Sequence, residues 1–136
     1  MTLVVDASVA LKWFVSEDGS DAAVRLLDSG EPLIAPELVL AEVCNAAWKS
    51  FRRGQIDHAQ FDEVATDLPQ VFGRLVPLVR LIRSAAALAR DLDHPIYDCF
   101  YLALAEAENV PLITADRRLV ATLDGTPLAG RVRPLR

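Results

Sequence analysis

The chain has 136 residues, of which 52% are hydrophobic, and a formal net charge of −5. That length supports one domain with a sizeable core, and the apolar share excludes an intrinsically disordered chain. No stretch reaches the roughly 20 apolar residues that cross a bilayer, and no basic start followed by an apolar run and a cleavage site suggests a secretory leader.

Leu3-Val4-Val5-Asp6-Ala7-Ser8 is an apolar run that ends on a carboxylate, the pattern of a buried parallel strand. Asp6 then sits at the strand's carboxyl end, where open α/β sheets hold their ligands. A short helix is expected over about 8–15 with Ser8 as its N-cap, then a loop at 16–19 and a helix over about 20–28 stopped by Ser29-Gly30. Residues 33–35 read as a second strand. Pro36 is expected in the first turn of a long helix, about 36–53, that ends at Gly54. A helix over 57–68, ended by Pro69, forms a hairpin with it. Segment 72–77 supports a third strand. Helices follow over 78–92 and 96–108, parted by Asp93-His94-Pro95. Val110-Pro111-Leu112-Ile113-Thr114-Ala115-Asp116 repeats the opening pattern, a strand running into an aspartate. A short helix from Arg117 and an edge segment near Val132 complete the chain. Strands alternating with helices predict a parallel sheet with right-handed crossovers. With no repeat or linker, 1–136 reads as a single α/β domain.

Four carboxylates stand out. Asp6 and Asp116 end strands, whereas Glu42 and Asp98 lie within strongly apolar helical segments, where an unpaired charge is expensive. Each has an ordinary alternative. Asp6 and Asp116 suit helix caps, Asp98 suits a first helical turn, and Glu42 can pair with Lys49 along its helix. Taken together, four acids in one small α/β domain point to a hard divalent cation, Mg²⁺ or Mn²⁺, and to phosphate chemistry. Asp6, Asp98 and Asp116 are the expected direct ligands, with Glu42 holding a second ion or a water. Asn45, one turn beyond Glu42, is placed to orient its carboxylate, and Thr114 to bond a neighbouring acid.

Cys44 and Cys99 have no zinc spacing and imply no disulfide framework; they read as small core residues, and a reduced, cytoplasmic setting fits them. His58 and His94 fall at helix boundaries and read as structural. No Gly-rich phosphate loop is present, so ATP or NAD binding has no support. Lys12, Lys49, Arg117 and Arg118 are candidates to hold a nucleic-acid backbone at the rim. Trp13 and Trp48 are read as core residues in preference to base-stacking platforms.

Val4-Val5-Asp6-Ala7-Ser8, Ala41-Glu42-Val43 with Asn45, Tyr97-Asp98 with Tyr101-Leu102-Ala103-Leu104-Ala105, and Thr114-Ala115-Asp116 occur in this order along the chain. This ordered set resembles the PIN-domain family, and within it the VapC-type ribonuclease toxins of bacterial toxin–antitoxin pairs. The resemblance implies a three-layer α/β/α fold with a short, mainly parallel central sheet flanked by helices. It implies a Mg²⁺- or Mn²⁺-dependent endoribonuclease site built from Asp6, Glu42, Asp98 and Asp116, with Ser8 and Thr114 lining it. It also implies a cognate antitoxin, a homodimer and a structured RNA substrate such as a tRNA, with no membrane involved. The chain departs from some relatives in lacking a further acid shortly after Asp116.

Two rival readings share this fold: a nuclease acting on DNA or in RNA maturation, and an interaction module without catalysis. A phosphoacceptor domain of the receiver type would need a lysine ending a late strand, where this chain has Thr114-Ala115-Asp116. The positive mean hydropathy of +0.25 suggests apolar surface for a partner, with the helical pair 36–68 as a contact face.

Overall fold

Five strands of three or four residues form the centre of the computed structural model, which describes residues 1–136: β1 (Leu3–Val5), β2 (Leu33–Pro36), β3 (Arg74–Val76), β4 (Leu112–Thr114) and β5 (Val132–Pro134). Their order is β3-β2-β1-β4-β5, and all four pairings are parallel. The middle strands β1, β2 and β4 are buried along their whole length. That burial explains why they read as unbroken apolar runs with no alternation.

Seven helices surround the sheet: α1 (Ala7–Ala10), α2 (Ser20–Asp28), α3 (Leu38–Arg52), α4 (His58–Val71), α5 (Leu78–Leu92), α6 (Ile96–Glu108) and α7 (Arg117–Leu123). None is long and apolar enough to cross a membrane. The most deeply set is α6, where every residue from Cys99 to Ala105 is buried. A mainly parallel sheet flanked by helices is the fold class expected from the sequence.

Three local expectations are corrected. Ser8 does not cap α1; Asp6 does, from an extended backbone, by accepting the Val9 amide on Oδ1, while Ser8 lies inside the helix. Pro36 belongs to the end of β2, in register with Val76, and not to the first turn of α3. Its fixed φ suits an extended strand, and the chain needs Glu37 as well to turn into the helix. Pro69 does not stop α4, which runs on to Val71. It lies so near the helix end that one missing donor strands only the Ala65 carbonyl, and Ala65 is exposed to water. The start of α4 is held by a reciprocal cap: Asp57 accepts from the Gln60 amide, and the Gln60 side chain accepts from the Asp57 amide, both at 2.8 Å.

The strand order reverses direction at β1. From there the chain builds outward through β2 and β3 on one side, then returns to add β4 and β5 on the other. A crevice opens at the carboxyl ends of two parallel strands whose connections leave in opposite directions. Here those strands are β1 and β4, and the residues beyond their ends are Asp6 and Asp116.

Candidate active site

Asp6 is 3% exposed. Its Oδ1 accepts the Ser8 hydroxyl at 2.5 Å and the Val9 amide at 3.2 Å. Ser8 in turn accepts the Ala115 amide at 3.0 Å, and its hydroxyl lies 3.5 Å from that of Thr114. Thr114 is fully buried and accepts the Asp116 amide at 3.0 Å. Ser8 and Thr114 thus stitch the end of β1 to the end of β4, residues 106 positions apart in the chain. Asp116 caps α7, accepting the amides of Arg118 at 2.9 Å and Leu119 at 3.4 Å on one oxygen. The cap reading of Asp6 and Asp116 is therefore correct for one oxygen of each, and the caps themselves do not use the other oxygen.

The other two acids arrive from helices. Glu42, half-buried on α3, accepts the Tyr101 hydroxyl of α6 at 2.6 Å. Asp98, in the first turn of α6, contacts His94 Nε2 at 2.7 Å. Asp98 and Tyr101 are three residues apart on one helix, so α6 presents both to the same neighbourhood.

Electrostatics ties these groups together. Burial pushes the Asp6 carboxyl up to about 6, against bonds from Ser8, Thr114 and Val9 that favour its charge, and the nearby Asp98 adds to the rise. Burial also raises Glu42, opposed by the Tyr101 bond and assisted by Asp98. Tyr101 is driven far above its ordinary range by burial and by Glu42, Asp6 and Asp98, so it remains a neutral donor at any working pH. Three carboxylates therefore feel one another around one buried phenol, and their bonding partners are hydroxyls, amides and one imidazole. No lysine or arginine is among these partners. Such uncompensated negative charge in a partly dry site suits a cation. The oxygens are hard donors of the kind Mg²⁺ and Mn²⁺ take. They do not form a closed chelate: no three His, Cys, Asp or Glu side chains are gathered tightly enough to ligate one ion as they stand.

The remaining expected residues spread out. Asn45 is exposed on α3 and is not the partner of Glu42, a place Tyr101 takes. Lys49 is exposed on the same helix, and Arg117 and Arg118 are exposed at the start of α7. Lys12 is engaged internally, its ammonium donating to Glu17 Oε1 at 3.0 Å and to the Asp18 carbonyl at 2.6 Å, and so braces the loop before α2. Trp13 is packed, donating to the Ala23 carbonyl at 2.9 Å and leaning on Phe72. Trp48 is 42% exposed beneath Arg52 and is not a core residue. The sequence reading missed the roles of His94 and Tyr101. Their spacings of −4 and +3 from Asp98 on a helix were the available signal.

A cavity of about 750 Å³ lies on the β4 side of this cluster, with Thr114 and Asp116 in its lining.

Residues 3–123 match the PIN domain family. Ribonuclease VapC3 of Pyrobaculum aerophilum is 34% identical over 121 residues, which span 88% of this chain and 92% of that protein. A toxin-antitoxin complex from Klebsiella pneumoniae superposes with a TM-score of 0.71 at 18% identity, covering 96% of this chain and 95% of that one. VapC20 of Mycobacterium tuberculosis, a Sarcin-Ricin loop cleaving toxin, gives a TM-score of 0.69 at 20% identity over 88% of this chain and 93% of that one. At these identities the two structures establish the shared fold.

Proposed function

The chain belongs to the PIN-domain family, and from that premise we propose that it is a VapC-type ribonuclease, the toxin of a toxin–antitoxin pair. One observation carries the reading. Asp6, Glu42 and Asp98 meet around Tyr101 at the reversal point of the sheet, with no lysine or arginine among their bonding partners. A structural cluster of that kind would cost stability without return, whereas a divalent cation would relieve it.

Asp6, Asp98, Asp116 and Glu42 would hold Mg²⁺ or Mn²⁺. When bound, the ion supplies positive charge against the developing charge of a phosphodiester and favours ionisation of an attacking water. The protein's own part is positional. Ser8, Val9 and Thr114 fix Asp6; the amides of α7 fix Asp116; Tyr101 fixes Glu42; and His94 fixes Asp98. Arg117 and Arg118, exposed beside Asp116, would hold the RNA backbone, and unpaired loops thread into such a crevice more easily than duplex.

The reading extends to a cognate antitoxin and a homodimer acting on structured RNA in the cytoplasm, as one nuclease domain over 1–136. The Klebsiella pneumoniae structure of the same fold is a toxin-antitoxin complex, which supports the antitoxin. Its test is cleavage of a panel of tRNAs and ribosomal fragments by the wild type and Asp98→Asn, with Mg²⁺, Mn²⁺ or a chelator. Discrete cuts that need both the ion and Asp98 are expected. Cuts on DNA alone would replace the substrate. An intact fold with neither cleavage nor Mn²⁺ binding would leave only a non-catalytic module.

A further inference from the structure

The cavity beside Asp116 has chemistry of its own. One wall is apolar, made by Val120, Ala121, Ala129, Pro134 and Leu135. Two exposed carboxylates also line it, Asp18 from the loop before α2 and Asp124 from the end of α7. Asp18 accepts from Lys12 through its backbone carbonyl, so that bond does not occupy its carboxylate. Asp124 caps α7 through its backbone amide and likewise keeps its side chain free of the cap. Gly19, with φ +88, completes this rim; a Cβ there would be 3.3 Å from Lys12 Cε and is strained by the backbone. Lys12, Thr114, Asp116 and Arg117 also line the cavity.

Resting on the ribonuclease reading above, we propose that this cavity is a guanine subsite for a nucleotide next to the scissile phosphate. The Lys12 ammonium in the lining is held by Glu17 and the Asp18 carbonyl, so Asp18, Asp116 and Asp124 outweigh Arg117 and favour an uncharged group over a phosphate. An apolar wall suits the face of a base, and Arg117 supplies a guanidinium plane for stacking. Carboxylates accept hydrogen bonds and cannot donate, so they select a base edge rich in N–H groups. Guanine is the base that offers two adjacent donors, N1–H and the N2 amino group, to the two oxygens of one carboxylate. Uracil offers a single N–H between two carbonyls, which a carboxylate repels.

The test titrates the whole protein in chelator with the four nucleoside 5′-monophosphates, followed by amide chemical shifts, alongside Asp124→Asn and Asp18→Asn. The phosphate is common to all four, so differences report the base. GMP is expected to bind about tenfold more tightly than UMP, the lower range of a good bidentate contact. Its shifts should centre on Val120, Ala121 and Ala129, and at least one of the two variants should lose the preference. Equal binding of all four nucleotides, shifts elsewhere, or a preference that survives both substitutions would overturn the subsite. Cleavage of an RNA with guanosine replaced by uridine at each cut separates the two readings. Ion-dependent cutting indifferent to that change would sink the subsite and keep the ribonuclease. A GMP preference without any RNA cleavage would do the reverse.

Discussion

Asp6 serves as a helix cap and as a member of the acid cluster, and the two roles conflict over its charge. Its carboxyl is pushed from 3.8 to about 6 by burial. The folded chain therefore binds more protons than the unfolded one between those values, and stability falls as pH rises through that window. Above pH 6 the penalty is fully present, about 3 kcal/mol by the usual conversion of a pKa difference. Asp6→Asn keeps an oxygen for Val9 and Ser8 and carries no charge. It is expected to raise metal-free stability at pH 7.5 by up to about 3 kcal/mol, with little gain at pH 4, while abolishing ion-dependent cleavage. Urea unfolding in chelator at the two pH values measures this. An equal gain at both would show that charge burial is not the cause. At this scale the sequence showed which carboxylates end strands or enter apolar helices, and it offered Asn45 for Glu42 where the structure has Tyr101. An aspartate closing an apolar strand is visible in one dimension, but whether Asn45 or Tyr101 reaches Glu42 depends on which face of α3 meets α6.

Between elements, the Tyr101–Glu42 bond joins α6 to α3 across 59 positions of sequence. Removing the hydroxyl in Tyr101→Phe leaves the ring in the core and frees the Glu42 carboxylate. Losing a group that orients a metal-binding side chain typically costs 10- to 100-fold, and that range is expected for kcat. Stability should change by only about 1 kcal/mol, the usual net value of one hydrogen bond. Steady-state cleavage beside thermal unfolding separates the two, and a variant with unchanged kcat would remove Tyr101 from the site. The elements themselves were legible where periodicity was strong. The spans of α2, α5 and α6 match the expectation residue for residue. The departures fall where short-range rules compete. Proline marks both strand ends and helix starts, so Pro36 misled. A proline near a helix end costs little, so Pro69 did not act as a stop. Both Asp6 and Ser8 are good caps, and the backbone turned at Asp6.

For the molecule as a whole, a cation bound at the cluster would couple stability to the state of the site. A cation that binds only the folded chain stabilises it by about 2.7 kcal/mol at a hundredfold excess over its Kd. Mn²⁺ is expected to raise the melting temperature of the wild type more at pH 7.5 than at pH 5, because Asp6 must lose its proton first, and to leave Asp6→Asn much less affected. Calorimetry with and without chelator checks this, and a melting point indifferent to millimolar Mn²⁺ would remove the cation from the site. The topology explains why the sequence could only hint at the cluster. Its members come from β1, α3, α6 and the end of β4, and only the reversal at β1 brings the first and last of these together.

The same reversal sets a clock on synthesis. The strand that leads into Asp6 is made first, and its neighbour β4 follows only after more than a hundred residues, as the Ser8–Thr114 separation of 106 positions shows. At translation rates of about 5–20 residues per second, that gap lasts about 5–20 s. Until it closes, the nascent chain carries Asp6 without the Asp116 side of the centre. An activity that needs both acids would then begin only after β4 has emerged, and anything meant to restrain it has those seconds to be waiting.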